Sequence, residues 1–322
     1  MLITLPLILF IVLTELSIGA FTVLLLLDWR NMVKRNFLVT YAFIYILLTG
    51  LTYLFQQGFS NAPLLNTFRL LDKGWTGVLS VFLLLFLLLL LPYTVFLLAD
   101  KKAGVNGKVE GRTIVSRVRI LRLASGGLAV LAGLITLFVL GMIYRPMAST
   151  GLGGALIVGS FFAAALALGG VMTSMWLGHW YLVTPALSEK PLQFAAILVL
   201  LGILAEVAFA FTGAPAVAPH SQATSPAATV TSTVTTTTAT PTPGTATIKP
   251  SDVPTVTPLS TSALGWLRIF VAFVLPLALL AFILKLIRDR SFQSATGMLY
   301  LVVVLTLAGE AMSRGLFLAG LQ

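Results

Sequence analysis

Apolar residues run along this chain in eight long stretches, separated by shorter segments that hold most of the polar residues. A helix needs about 20 apolar residues to cross a hydrocarbon core roughly 30 Å thick. The pattern therefore predicts an all-α, polytopic membrane helix bundle of about eight transmembrane helices. We place them at residues 3–27, 37–55, 76–98, 123–144, 152–177, 193–213, 265–286 and 294–318.

The composition of the stretches predicts where individual helices lie. Residues 78–91 are almost entirely Leu, Phe and Val, so we expect the third helix to face lipid over much of its surface. The fifth stretch is rich in small residues, including Gly159, Gly169 and Gly170. Because small residues let helix backbones approach closely, we expect the fifth helix at the centre of the bundle.

One long segment between the sixth and seventh helices is different. Residues 214–264 are rich in Thr, Pro and Ala and carry too little apolar surface to build a core. They divide the chain into a six-helix membrane part, 1–213, and two C-terminal helices of the same bundle, 265–322. We interpret the segment as a disordered linker on the outer face, with a glycosylated stalk or a tether for a partner as alternatives.

Charge adds a prediction about orientation. The chain is 58% hydrophobic and 9% charged, and its net charge of +10 comes from basic residues that mostly follow helices one, three, five and seven. Such residues control topology, so we do not expect nucleic-acid binding. The positive-inside tendency places those connections, including the run from Lys101 to Arg122, in the cytoplasm. Both termini are then outside, in a multi-pass protein of the cell (inner) membrane.

Cysteine and histidine usage limits the cofactors. The chain has no Cys and two His, one of which, His220, lies in the Thr/Pro-rich linker. We therefore expect no haem or iron–sulfur cluster held by this chain alone. The other, His179, lies in an aromatic segment that Pro185 ends. It is either part of an interfacial anchor or a ligand or proton-entry group on the cytoplasmic face.

Three glutamates lie inside predicted membrane helices, where an ionisable side chain costs about 2.5–3.5 kcal/mol at mid-depth. Glu15 is near mid-depth, and Glu206 and Glu310 are in the outer half. Arg314 follows Glu310 by four residues, which favours an ion pair on one helix face, a polar pocket, or both. Glu15 and Glu206 have no such base, so they are protonated, hydrogen-bonded across helices, or open to a water-filled cavity. All three are candidates for proton transfer.

The last helix contains Gly309-Glu310, then Arg314, Gly315 and Phe317. This pattern resembles the final helix of the membrane-anchor subunit of dimethyl sulfoxide reductase and of related NrfD-type anchors for polysulfide and nitrite reductases. The first helix is also similar, through the segment from Leu5 to Thr14 and then Gly19 and Phe21. The resemblance extends to eight helices and an outer N-terminus.

The resemblance implies a quinone-interacting anchor subunit that exchanges electrons with an outer-face iron–sulfur partner in a respiratory-type complex. Its cofactor would be menaquinone or ubiquinone, its partners the iron–sulfur and catalytic subunits, and the chain would not be an enzyme on its own. Where that family has a His-x-Gly motif, this chain has Gln56-Gln57-Gly58, and Arg69 is the nearest match to the family's Arg. We therefore expect Gln56, Arg69, Arg314 and His179 as candidate cofactor-binding residues.

Two other functions fit the same residues. In a proton- or ion-coupled transporter, Glu15 and Glu206 would be coupling sites. In a purely structural subunit of a respiratory or photosynthetic complex, the three glutamates would serve assembly alone. The resemblance to quinone anchors makes the oxidoreductase subunit our leading hypothesis.

Overall fold

The computed structural model describes residues 5–60, 71–105, 108–109, 112–113, 116–148, 150–184, 188–212 and 261–319. Within these residues, eight helices are long and apolar enough to cross a membrane, which confirms the predicted all-α membrane bundle. They are α1 (Leu5–Trp29), α2 (Arg35–Ser60), α3 (Thr76–Ala99), α4 (Arg117–Tyr144), α5 (Gly151–Val183), α6 (Lys190–Thr212), α7 (the consecutive segments Thr261–Ile269, Phe270–Val274 and Leu275–Arg288) and α8 (Phe292–Ala319). Residues 214–260 of the predicted linker lie outside the described residues, but Thr261, which the prediction included in it, begins α7.

Helix α7 is built from three consecutive segments. Thr261–Ile269 is α-helical, Phe270–Val274 is π-helical, and Leu275–Arg288 is α-helical again. Pro276 is the second residue after the π-helical segment. Proline has no N–H to donate and its ring clashes with the carbonyl four residues earlier, so the backbone widens locally.

The remaining elements are short. Single 3-10 turns, Lys73–Trp75 and Arg145–Met147, precede α3 and follow α4. Between α3 and α4, β1 (Lys108–Val109) pairs antiparallel with β2 (Arg112–Thr113). Lys34 and Gly104 form an isolated bridge that ties this connection to the one between α1 and α2.

Helices α1 and α5 form the centre of the bundle. Helix α5 packs against α1, α4, α6 and α8, as its small residues predicted. The two central helices cross where glycines face each other: a Cβ on Gly19 would lie 1.7 Å from the Ala165 carbonyl oxygen, and one on Gly169 would lie 2.0 Å from the Gly19 backbone. No side chain fits there, so these two glycines set how closely the helices approach.

Hydropathy does not separate the central helix α1 from the peripheral helix α3. Their most apolar windows have mean hydropathies of 2.3 and 2.8, yet 83% of the α1 window is buried against 33% of the α3 window. Val81 and Val95 of α3 are 62% and 60% exposed, as expected for a lipid-facing helix. Burial of α1 depends instead on glycines that other helices can approach.

Consecutive helices alternate in direction, so their connections fall at two ends of the bundle. The end that holds the connections 30–34, 100–116, 184–189 and 289–291 is called the basic end here, since most Lys and Arg residues lie near it. The opposite end holds the N-terminus of α1 and the C-terminus of α8 and is called the terminal end.

Candidate functional site

A buried arginine joins two carboxylates in the half of the bundle toward the terminal end. Arg314 of α8 donates from Nη2 to Glu15 Oε1 on α1, and its Nε lies 2.7 Å from Glu310 Oε1, one turn back on α8. All three side chains are buried. The predicted pairing of Glu310 with Arg314 is therefore present, and Arg314 also supplies the cross-helix partner of Glu15.

Aromatic rings cover the other side of Arg314. Its guanidinium carbon lies 4.0 Å from the centroid of the Phe161 ring on α5. Phe161 is stacked on Tyr144, at the end of α4, with centroids 5.7 Å apart and planes inclined by 26°. A desolvated cation over an aromatic face gains about 2 kcal/mol, so the rings fix the guanidinium without adding negative charge.

Two more charged residues lie within electrostatic range of this group. Glu206, half-buried on α6, interacts with Glu310, Glu15, Arg314 and Arg268. Arg268 lies on α7 next to the π-helical segment and interacts with the same carboxyls of α6 and α8. Helices α1, α6, α7 and α8 thus bring Glu15, Glu206, Glu310, Arg268 and Arg314 together in what is called the glutamate cluster here.

The π-helical segment contributes directly to the position of Glu310. A Cβ on Gly309 would lie 2.5 Å from the Cβ of Ala272, which is inside that segment. The close approach of α7 and α8 at this glycine places Glu310 beside α7. Arg268 was not among the sequence-predicted residues, although Arg in an apolar stretch near Pro276 could have drawn attention to it.

The glutamate cluster has unfilled hydrogen-bonding capacity. Glu15 is fully buried, and its Oε2 has no hydrogen-bond partner among the described residues. The Nε of Arg268 is likewise buried without a partner in the described part of the chain. Three carboxyl groups face two guanidinium groups, which leaves one carboxyl in excess. An excess charge away from water is costly unless it is neutralised, and a bound proton neutralises a carboxylate.

Not all predicted site residues join the cluster. Gln56 of α2 is buried, and its Oε1 has no partner among the described residues. His179 is exposed and lies near the basic end, where its Nδ1 is 3.4 Å from the Tyr300 hydroxyl. It is therefore separated from the three glutamates along the bundle. Arg69 lies outside the described residues.

A second buried charge cluster, at the basic end, was not predicted. Arg122 is fully buried and donates 2.6 Å to Asp100 Oδ2 and 2.9 Å to Asp28 Oδ1, while the Tyr93 hydroxyl donates 3.2 Å to Asp28 Oδ2. Arg119 interacts electrostatically with both aspartates. The expectation that Arg122 lies in a basic loop is wrong, because α4 begins at Arg117 and places Arg122 inside the bundle. Asp28, Asp100, Arg119 and Arg122 are called the aspartate cluster here.

Comparison with protein-family models, with curated proteins and with solved structures gives no match to this chain. The resemblance of the first and last helices to quinone-interacting anchors therefore stays a prediction from those two segments. The two buried clusters and the helices that hold them are the features of this chain that bear on its function.

Proposed function

We propose that this chain is a proton-handling, quinone-interacting membrane subunit of an oxidoreductase complex, and that the glutamate cluster is its proton-binding site. The observation that carries the proposal is the excess of one carboxyl among five buried or half-buried charged groups. A site with this imbalance is stable when one carboxyl is protonated and becomes costly when that proton leaves. Such a site exchanges a proton whenever a nearby reaction changes the local charge.

Arg314 confines the proton exchange to the glutamate cluster. It holds Glu15 and Glu310 at once, so a proton that binds either carboxyl shifts the guanidinium toward the other. The guanidinium stays in contact with the ring face of Phe161 during this shift. Glu206 is half-buried, which gives the cluster a carboxyl nearer to the surface of the bundle. These residues would accept and release protons without large movements of the helices.

Gln56 meets one requirement of a quinone site. A buried amide oxygen without a partner among the described residues can accept a hydrogen bond from a quinol hydroxyl. Tyr45 and Ala20 both contact Thr173, so counting along α2 and α1 puts Gln56 about 9 Å closer to the terminal end than Glu15. A bound quinol would supply two electrons and two protons, the electrons leaving to a partner's iron–sulfur cluster. In this scheme Gln56 orients the ring, and the glutamate cluster relays the two protons one at a time, releasing the proton that it holds before it takes up the next.

Purification from native membranes in mild detergent tests the proposal. We expect an iron–sulfur subunit and an extractable menaquinone or ubiquinone to copurify with the chain. Gln56→Leu should lower the quinone content several-fold. Gln57→Leu is the matched control, because Gln57 is exposed and bonds Ser80 at 3.3 Å. Recovery of the chain without a redox partner and without quinone would contradict the proposal.

We further propose that the basic end is cytoplasmic and that the chain lies in the cell (inner) membrane. The native chain has no Cys, so single cysteines report accessibility without background. Lys102→Cys is at the basic end and Gly151→Cys is at the terminal end, where a Cβ meets no atom within 4 Å. A membrane-impermeant maleimide added outside intact spheroplasts should label only Gly151→Cys. Labelling of Lys102→Cys alone would reverse the orientation.

A proton- or ion-coupled transporter is the second candidate, because α7 is interrupted by its π-helical segment beside Arg268. Transporter sites are commonly formed where membrane helices are broken. If the chain acts this way, proteoliposomes containing it alone should dissipate an imposed pH gradient, and Glu206→Gln should abolish the flux. Flux without any redox partner would favour transport, whereas no flux together with copurifying quinone would favour the oxidoreductase subunit.

A further inference from the structure

An apolar groove opens on the side of the bundle near the basic end, away from the glutamate cluster. It has a volume of about 270 Å³ and is lined by Leu25, Leu26 and Trp29 of α1 and Leu123 of α4. Trp29 is 60% exposed and lies at the end of its helix. The groove therefore begins where α1 and α4 reach the basic end and extends into the membrane-spanning part.

A basic side chain lies where this groove meets the basic end of the bundle. Arg119 precedes Leu123 by four residues on α4, so the two side chains share one helix face. The Nη2 of Arg119 donates 3.1 Å to the Trp29 carbonyl oxygen, which ties Arg119 to the groove wall. Arg119 is only partly buried. Its guanidinium has five N–H donors, and those not used by the Trp29 carbonyl and the Asn31 amide oxygen can bind an anion from the surface.

We propose that this groove binds an anionic phospholipid, with an acyl chain against Leu25, Leu26 and Leu123 and the phosphate at Arg119. The order of side chains matches a lipid molecule: apolar residues toward the membrane interior, and a guanidinium and an indole at the level of the head group. Tryptophan prefers this level, since its ring is apolar and its N–H donates a hydrogen bond. Basic residues at the cytoplasmic side of transmembrane helices recognise anionic head groups.

Basic residues at this site outnumber the buried aspartates. Asp28 and Asp100 are held by Arg122 behind the groove wall and also interact with Arg119, so the charges of these four groups sum to zero. Arg117 is exposed at the start of the same helix, which adds positive charge at the same level.

Lipid retention measured by native mass spectrometry tests the proposal. The full chain is reconstituted with equal amounts of phosphatidylglycerol and phosphatidylcholine, extracted into detergent, and its bound lipids are counted. We expect retained phosphatidylglycerol to exceed phosphatidylcholine, and the ratio to fall about fivefold in Arg119→Gln. Arg119→Lys should keep part of the preference, because it keeps the charge. Arg290→Gln is the matched control, since Arg290 is an exposed basic residue of the same end that pairs with Glu189.

An unfolding measurement and a second variant distinguish a loss of lipid binding from a loss of folding. Arg119→Gln removes the hydrogen bond to Trp29, so its thermal unfolding is measured in the same detergent. Leu123→Trp fills the groove without changing the charge, and it should lower retention of phosphatidylglycerol as well. Equal retention of the two lipids by the parent chain would overturn the proposal. So would an equal loss in Arg119→Gln and Arg290→Gln, or full retention in Leu123→Trp.

Discussion

The two buried charge clusters, one toward each end of the bundle, share a motif and differ in how completely their carboxylate oxygens are hydrogen-bonded. In each, one arginine lies between two carboxylates from different parts of the chain. In the aspartate cluster all four carboxylate oxygens have a hydrogen-bond donor, from Arg122, Tyr93 and the Lys102 N–H. In the glutamate cluster Glu15 Oε2 has none among the described residues.

The two clusters also differ in the balance between carboxyl and guanidinium groups. The aspartate cluster has two carboxylates, Asp28 and Asp100, and two guanidinium groups, Arg119 and Arg122. The glutamate cluster has three carboxyls and two guanidinium groups. A balanced cluster whose carboxylate oxygens all have donors holds helix positions and needs no proton to neutralise it. An unbalanced one has a reason to bind a proton, so we propose a structural role for the aspartate cluster and a proton-binding role for the glutamate cluster.

The largest expected effect is the loss of Arg122. Arg122→Met leaves Asp28 and Asp100 buried without their shared partner, which should lower the free energy of unfolding by about 3–5 kcal/mol. Denaturant titration in mixed micelles measures this change. Arg117→Met is the control, because Arg117 is exposed on the same helix and should change stability by no more than about 0.5 kcal/mol. A loss of under about 1 kcal/mol in Arg122→Met would show that the aspartate cluster does not hold the helices together.

The charge state of Asp28 can be read from two tyrosines. Tyr93 donates to Asp28 at 3.2 Å, and Tyr45 is hydrogen-bonded to Thr173 at 2.9 Å; both rings are fully buried. Tyr93→Phe should cost about 2 kcal/mol because its acceptor is charged, and Tyr45→Phe about 1 kcal/mol because its partner is neutral. Thermal unfolding of both variants gives the comparison. Equal costs would mean that Asp28 is not ionised and that the aspartate cluster is not balanced as described.

A smaller effect is expected from the aromatic cover of Arg314. A double-mutant cycle of Phe161→Leu with Arg314→Met should give a coupling of about 1–2 kcal/mol, from the guanidinium–ring contact at 4.0 Å. Phe86→Leu with Arg314→Met is the control cycle. Phe86 is equally buried but packs on Phe21, so its coupling should be close to zero. Similar couplings in both cycles would show that Phe161 has no specific interaction with Arg314.

The sequence predicts these two clusters unequally. The Glu310–Arg314 pair follows from spacing on one helix, and the three glutamates stand out because charge is rare in apolar stretches. The Glu15–Arg314 contact joins residues 299 positions apart, and no local pattern contains it. Arg122 lies among several loop arginines in the sequence, so its burial appears only when the ends of α1, α3 and α4 meet. Burial of α1 likewise depends on its crossing with α5 at Gly19 rather than on its hydropathy.

Glu206→Gln, the variant with the smallest expected effect on stability, distinguishes the two clusters most clearly. Arg314 is already held by Glu15 and Glu310, so Glu206 is the third carboxyl of the glutamate cluster. Glu206→Gln removes the excess carboxyl and should leave the free energy of unfolding within about 0.5 kcal/mol of the parent value. Infrared spectroscopy of the parent should show one protonated buried carboxyl, and this band should be absent in Glu206→Gln. Asp28→Asn should keep the band, and so should Glu189→Gln, which removes a carboxyl that pairs with Arg290 at the exposed basic end. A parent chain without the band would mean that the glutamate cluster carries its negative charge unprotonated, and the division between a structural and a proton-binding cluster would fail.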